Sequence, residues 1–171
     1  MEGEIVNRVA KSPLMTIDLS EYMNTQEMVA FDLKDLLFQE MILREKDFRV
    51  FVKEHDWIQY TNKNIYVFCS IDAIIPSWAY MVILSKLQPI ANQVIVGGKD
   101  DLEKALIDQA VEKVKMEDLS DKKIVIKGCG NVSNRDYAYG QITKALVPVV
   151  SSLMYGEPCS TVPVYKKPRK K

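Results

Sequence analysis

Three cysteines, Cys69, Cys129 and Cys159, are the residues of this chain best suited to chemistry, and no two of them form a C-x-x-C pair. Three thiolates and one further ligand make a familiar tetrahedral zinc set, and iron–sulfur clusters also take thiolates. Asp72, three residues after Cys69 in CSID, is the first candidate for the fourth ligand, with Glu157, His55 or water as the others. An odd number of cysteines spread this widely does not make a disulfide framework, so the expected compartment is the reducing cytoplasm. Packing is the competing use of a thiol, because free cysteine is often a small buried apolar filler.

Cys159 poses the sharpest question. It sits in YGEPCSTVP, between two prolines and in a segment too polar for a core. The other two cysteines each close a predicted strand. NKNIYVFCS (62–70) and KKIVIKGCG (122–130) are short β-branched runs that read as buried strands, and NQVIVGG (92–98) is a third. Helices are expected between and after them, at 76–91, 99–115 and 133–156. Pro76 suits a first helical position, Ser133 an N-cap and Gly156 a stop, while Pro148 should kink or split the last helix.

Strand and helix alternating in this way predict an α/β fold, a three-layer, Rossmann-like parallel sheet with right-handed crossovers. Ligands bind such sheets beyond the carboxyl ends of the strands, where Cys69 and Cys129 fall. One metal ion can reach both only if strand 62–70 lies beside strand 122–130, the order 2-1-3 for the three strands taken in sequence. A break at Pro148 could return residues 149–156 to that edge and bring Cys159 with them.

The first sixty residues read as an α+β extension packed on a 61–165 core, giving one domain over 1–165. LMTIDLS (14–20) and MVAFDLK (28–34) alternate like half-buried strands and share a DL ending; residues 35–57 look mostly helical, broken near Leu43. An internal similarity also appears. Ala79, Tyr80, Leu87 and Pro89 recur with the same spacing as Ala138, Tyr139, Leu146 and Pro148. A duplicated strand–cysteine–helix element and coincident helix packing both account for it.

Other chemistry is weaker. A thiol enzyme would set Cys69 or Cys129 at a helix N-terminus, but His55, the single histidine, reads as an exposed helix-end residue. GCGNVS (128–133) begins like a dinucleotide loop yet has Ser133 for its third glycine. Trp78, Tyr80, Tyr137 and Tyr139 read as core aromatics that could also wall a pocket. Balanced charge, 23 basic against 23 acidic residues, argues against a general nucleic-acid binder. The tail KKPRKK (166–171) reads as a solvated, disordered end. No apolar run is long enough to span a membrane, and MEGEIVNRVAKSP is not a secretory signal. The apolar helices and an open sheet edge are compatible with a homodimer.

The segments EGEIVNRVAKSPLMTIDL, ILREKDFRVFVKEHDW, CSIDAIIPSWAYM, VIKGC and MYGEPCSTVPVYKKP together resemble an uncharacterised bacterial family, typical of Bacteroidetes, catalogued as domain of unknown function 2480. The resemblance covers essentially the whole chain and brings no established activity. It implies that Cys69, Cys129, Cys159 and Asp72 all lie in signature segments, and that members are often encoded near the sulfur-mobilisation machinery of iron–sulfur cluster assembly. The expectation is therefore a cytoplasmic metal-binding protein, with zinc or an iron–sulfur cluster held at the sheet edge and iron–sulfur assembly proteins as partners. The alternatives are a thiol enzyme or sulfur carrier, and an interaction protein with inert thiols.

Overall fold

A computed structural model describes residues 14–128, 130–157 and 159–168. The expectation of an N-terminal signal-free start (1–13) and the end of the basic tail (169–171) lie outside these residues, as does Cys129. Among the described residues the elements run β1 (Leu14–Ile17), β2 (Met28–Asp32), α1 (Glu45–Glu54), β3 (Asn64–Phe68), α2 (Ser77–Leu87), β4 (Gln93–Val96), α3 (Lys99–Lys115), β5 (Lys123–Ile126), α4 (Arg135–Leu146), β6 (Ser152–Glu157) and β7 (Ser160–Lys166). The α/β class is as expected, with parallel pairing throughout except for the β6–β7 hairpin. No helix among the described residues is long and apolar enough to cross a membrane.

The strands form two sheets rather than one, in the orders β2-β3-β4 and β1-β5-β6-β7. This corrects the predicted order: strand 62–70 (β3) does not lie beside strand 122–130 (β5). The reason is that β3 is already central. Its two hydrogen-bonding edges are taken by β2 and β4, so no edge is left for β5. The first sixty residues are not an appendage either, since β1 and β2 supply one strand to each sheet.

The chain divides into two compact units. One is Thr25–Leu106; the other gathers the chain up to Asn24 and from Ile107 onward. The Thr25–Leu106 unit builds its core from Phe31, Leu33, Phe48, Val52, Ile65, Val67, Ala79, Ile83 and Leu87. The other builds its core from Ile17, Leu19, Ile107, Val111, Ile124, Ile126, Ala138, Ile142 and Leu146.

Those two lists are the same list, displaced. Asn64 pairs with Gln93, and Lys123 with Ser152; Ile65 pairs with Val94, and Ile124 with Leu153. The displacement is a constant 59 residues, from 65 to 124 and from 94 to 153. It extends to the turns. Asn62 donates to Ile90 O and Asp121 to Val149 O, and both donors have a left-handed backbone, φ 58° and 55°. Ala79, Ile83 and Leu87 form the buried stripe of α2 at i, i+4 and i+8, as Ala138, Ile142 and Leu146 do in α4. The first strands match too. Ile17, Asp18 and Leu19 end β1 as Phe31, Asp32 and Leu33 end β2, and each aspartate caps the short 3-10 turn that follows. The duplicated element read in the sequence is therefore a complete internal repeat, with the second copy opened after its first strand to admit the first.

The helix expected over 133–156 ends at Leu146. Pro148 stops it, and residues 152–157 return as β6, parallel to β5. Asn134 rather than Ser133 holds the N-cap position, and Gly156 lies in a strand. Of residues 35–57 only α1 is α-helical. Lys167 of the basic tail is tied down, its Nζ 2.6 Å from Asp121 Oδ1.

Candidate functional site

Three strand ends meet at the carboxyl edge of the β1-β5-β6-β7 sheet. The pairing of Ile17 with Ile126 and of Ile126 with Tyr155 sets Asp18 and Lys127 just past the ends of β1 and β5, level with Gly156, and Glu157 one residue further along β6. Backbone bonding continues past the strands, as Lys127 N donates to Ile17 O at 2.9 Å. This is the edge at which open parallel sheets bind their ligands.

Asp18 and Lys127 form an ion pair, Nζ to Oδ2 2.9 Å, with the aspartate side chain only 11 % exposed. Ser20 donates to Asp18 Oδ1 from both its backbone N–H and its hydroxyl. The Ser20 hydroxyl bond holds the Asp18 carboxyl below its ordinary value; burial opposes it, and Lys127 adds to the lowering. Asp18 in turn raises Lys127. Each member thus keeps the other charged, and the pair is neutral as a unit.

A folded pKa below the unfolded one adds stability above the ordinary carboxylate range, and that stability is lost as pH falls through the lowered value. Asp18→Asn should cost about 1 kcal/mol at pH 7, the worth of one partly buried charge-assisted contact. The cost should shrink towards pH 3. Melting curves of both proteins at pH 7 and pH 3 check this, and an unchanged difference between them at the two pH values would refute it.

Tyr139 and Tyr155 roof the same edge, ring centroids 5.1 Å apart and nearly perpendicular. The Tyr139 hydroxyl donates to the carbonyls of Lys127 and Gly128, each at 3.3 Å. So Tyr139 belongs to this edge, whereas Trp78 packs edge-on against Phe48 and Tyr137 donates to Asp108. The glycines of GCGNVS have a local explanation. A Cβ on Gly128 would sit 2.8 Å from the Tyr155 hydroxyl, and one on Gly130 would sit 2.7 Å from Asp18 Oδ1. They leave room for sheet side chains.

Glu157, at the end of β6, carries a buried unsatisfied oxygen at this edge. Its Oε1 is buried and has no hydrogen-bond partner among the described residues. Glu157 pairs with Ser160, so Cys159 lies at the tip of the β6–β7 hairpin and is exposed. Gly156 makes the turn possible, with φ 126°.

The predicted ligands fall as follows. Cys159 lies on the β6–β7 hairpin of this unit, and Cys129 lies outside the described residues, three positions after β5. Cys69 follows β3 in the Thr25–Leu106 unit, where it is half-buried and packs against the apolar cluster; Asp72 is exposed. Since β3 and β5 are not neighbours, the strand adjacency invoked to join Cys69 and Cys129 is absent. The two are not equivalent within the repeat either, because the 59-residue register aligns Cys69 with Gly128. No group of three histidine, cysteine, aspartate or glutamate side chains converges among the described residues. Asp18 and Lys127 were not singled out in the sequence; the shared DL ending was the signal that marked the aspartate.

No curated protein and no solved structure matches the chain. A family model described as a protein of unknown function (DUF2480) matches residues 3–167. With nearly its whole length inside that match, the chain belongs to the DUF2480 family.

Proposed function

We propose that the protein binds a thiophilic metal ion at the carboxyl edge of the β1-β5-β6-β7 sheet, with Glu157, Cys159 and Cys129 as its protein ligands. The observation that carries this reading is Glu157 Oε1, a buried carboxylate oxygen with no donor among the described residues. Burying such an oxygen is costly until a donor or a cation reaches it. Lys127 does not serve, since its charge is matched by Asp18 at 2.9 Å. Cys159 stands two residues from Glu157 on the same hairpin, and Cys129 enters by its place in the chain after β5, the strand beside β6.

Two thiolates and a carboxylate suit zinc, leaving a fourth position for water or a donor from a partner. An iron–sulfur cluster is the second occupant of the same thiolates, and it implies iron–sulfur assembly proteins as partners. Either use needs reduced thiols, hence a reducing compartment such as the cytoplasm. Cys69 and Asp72 take no part in this reading.

Elemental analysis of the purified chain should find about one metal ion per molecule. Cys159→Ser, Cys129→Ser and Glu157→Gln should each weaken binding by at least the roughly 10–100-fold that loss of an outer-shell partner costs, and Cys69→Ser should leave it unchanged. A metal-free protein, or metal loss in Cys69→Ser, would overturn the proposal. The exposure of Cys159 on a hairpin tip favours one other reading, a thiol-based sulfur carrier. A metal-free sample in which Cys159 alone reacts rapidly with a thiol reagent would select it.

A further inference from the structure

The Thr25–Leu106 unit gathers an aromatic cluster at the carboxyl end of β2, part of it continuous with the core. His55, at the C-terminus of α1, is not the exposed residue its sequence context suggested. It is half-buried among Phe31, Phe51, Trp57 and Tyr60, with ring centroids 5.9, 4.6, 4.8 and 5.7 Å away. The Tyr60 hydroxyl lies 3.1 Å from His55 Nε2, and Trp57 stacks on Phe31 with 10° between the rings.

The internal repeat supplies a control for what the fold needs at these places. Strand pairing aligns Phe31 with Ile17. The 59-residue displacement aligns Phe51 with Ala110, His55 with Val114 and Tyr60 with Leu119. All four counterparts are aliphatic, and Ile17, Ala110, Val114 and Leu119 are all buried. Packing at these places is satisfied by aliphatic side chains in one copy, whereas the other copy places rings there.

They wall a cavity. A space of about 230 Å³ opens at the carboxyl end of β2, lined by Phe31, Phe51, His55 and Tyr60 together with Asp32 and Asp35. That is below the roughly 300–1,000 Å³ of a drug-sized pocket and suits a small head group. Asp32 Oδ1 accepts from the backbone N–H groups of Ser70 and Lys34, at 3.1 and 3.0 Å. Burial alone would push the Asp32 carboxyl up, but the hydrogen bond from the Ser70 side chain, followed by those from the Lys34 and Ser70 backbone, outweighs it and holds the group low. Burial also depresses the His55 imidazole, against the pull of Asp56, so the ring is neutral at pH 7 and adds no positive charge to the walls.

Aromatic rings and two aspartates lining one small space have one natural complement. The ring quadrupoles and the carboxylates both attract positive charge, while the ring bodies favour a ligand with an apolar skin. We infer that this cavity is a binding site for a small organic cation of the alkylated-ammonium class. It is separate from the metal proposal and shares no residue with it.

The test uses the full chain and two probes of the same shape, choline and its uncharged isostere 3,3-dimethylbutan-1-ol. Binding is followed by the NMR resonance of the Trp57 indole N–H, which donates to Val52 O at 2.9 Å beside the cavity. Choline should saturate that shift, and the isostere should bind at least about tenfold more weakly, as expected for losing a cation–π contact out of bulk water. Phe51→Ala and Tyr60→Leu install the residues that the other copy carries, so they are compatible with the fold, and each should weaken choline by about tenfold. Equal binding of the two probes would overturn the inference, as would no saturation by choline or unaltered choline binding in both variants.

Discussion

Ile83→Ala and Ile142→Ala should destabilise the protein by nearly equal amounts, about 2–5 kcal/mol each, the range for emptying a buried isoleucine site. Both side chains are fully buried at the middle of the α2 and α4 stripes. Each sits one turn from an alanine and one turn from a leucine that are buried as well. The alanine is what makes the site unforgiving. It brings the helix close to the sheet, so the space left by the isoleucine has rigid backbone on one side and cannot collapse readily. Met81, 70 % exposed on α2, is the internal control, and its truncation should change stability by less than about 0.5 kcal/mol. Urea titrations of the three variants decide the matter. Costs for Ile83 and Ile142 that differ by more than about 2 kcal/mol would mean the two copies are alike in trace but not in packing.

That equivalence was partly visible in the sequence. Ala79 and Tyr80 with Leu87 and Pro89, and their counterparts around Ala138, are surface traces of a match that runs through every buried apolar position from Phe48 to Leu87. Periodicity identifies helices and strands one at a time, so the elements 62–70, 76–91, 92–98, 99–115 and 122–130 were all legible. The division into two sheets was not. Ile124, Val125 and Ile126 are buried on both faces of β5, Ile65 and Val67 on one face of β3, and such runs carry no mark of which strand they will meet. Only the competition for edges decides that. With β2 available to β3, an expectation built on the three later strands alone had one partner too few.

The site was legible in pieces. The sequence marked the YGEPCSTVP turn and weighed Glu157 as a ligand, and Pro148 pointed to a chain reversal that would bring Cys159 back to the edge. The reversal occurs, by a strand where a broken helix was expected: a short apolar run such as SLMY is ambiguous between the two until its pairing is known. Asp18 and Lys127 were hidden for a different reason. A charged residue just past a strand end looks solvated unless the neighbouring strand is known, and here each supplies the other's counter-charge across a pairing between residues more than a hundred positions apart. His55 shows the same limit, because its aromatic surroundings are assembled from β2, α1 and the turn after it.

Gly156→Ala should be the most damaging single-atom change near the candidate site. Gly156 has φ 126°, a conformation that costs an L-residue about 1–3 kcal/mol. A Cβ there would also lie 2.5 Å from the Ser160 carbonyl oxygen. That oxygen is backbone and belongs to the strand paired with Gly156, so it cannot step aside without breaking the β6–β7 ladder. The added methyl should therefore open the hairpin where it presents Glu157 and Cys159. Loss of stability should be accompanied by loss of bound metal, even though no proposed ligand is changed. Gly140→Ala is the matching control: it lies inside α4, a Cβ there meets nothing within 4 Å, and the change should stabilise by about 0.5–1 kcal/mol through helix propensity with metal content intact. Thermal melts and elemental analysis of the two variants side by side test the idea. Gly156→Ala retaining full metal content at its reduced stability would show that the hairpin geometry does not hold the metal, leaving Glu157 and Cys159 without a shared task.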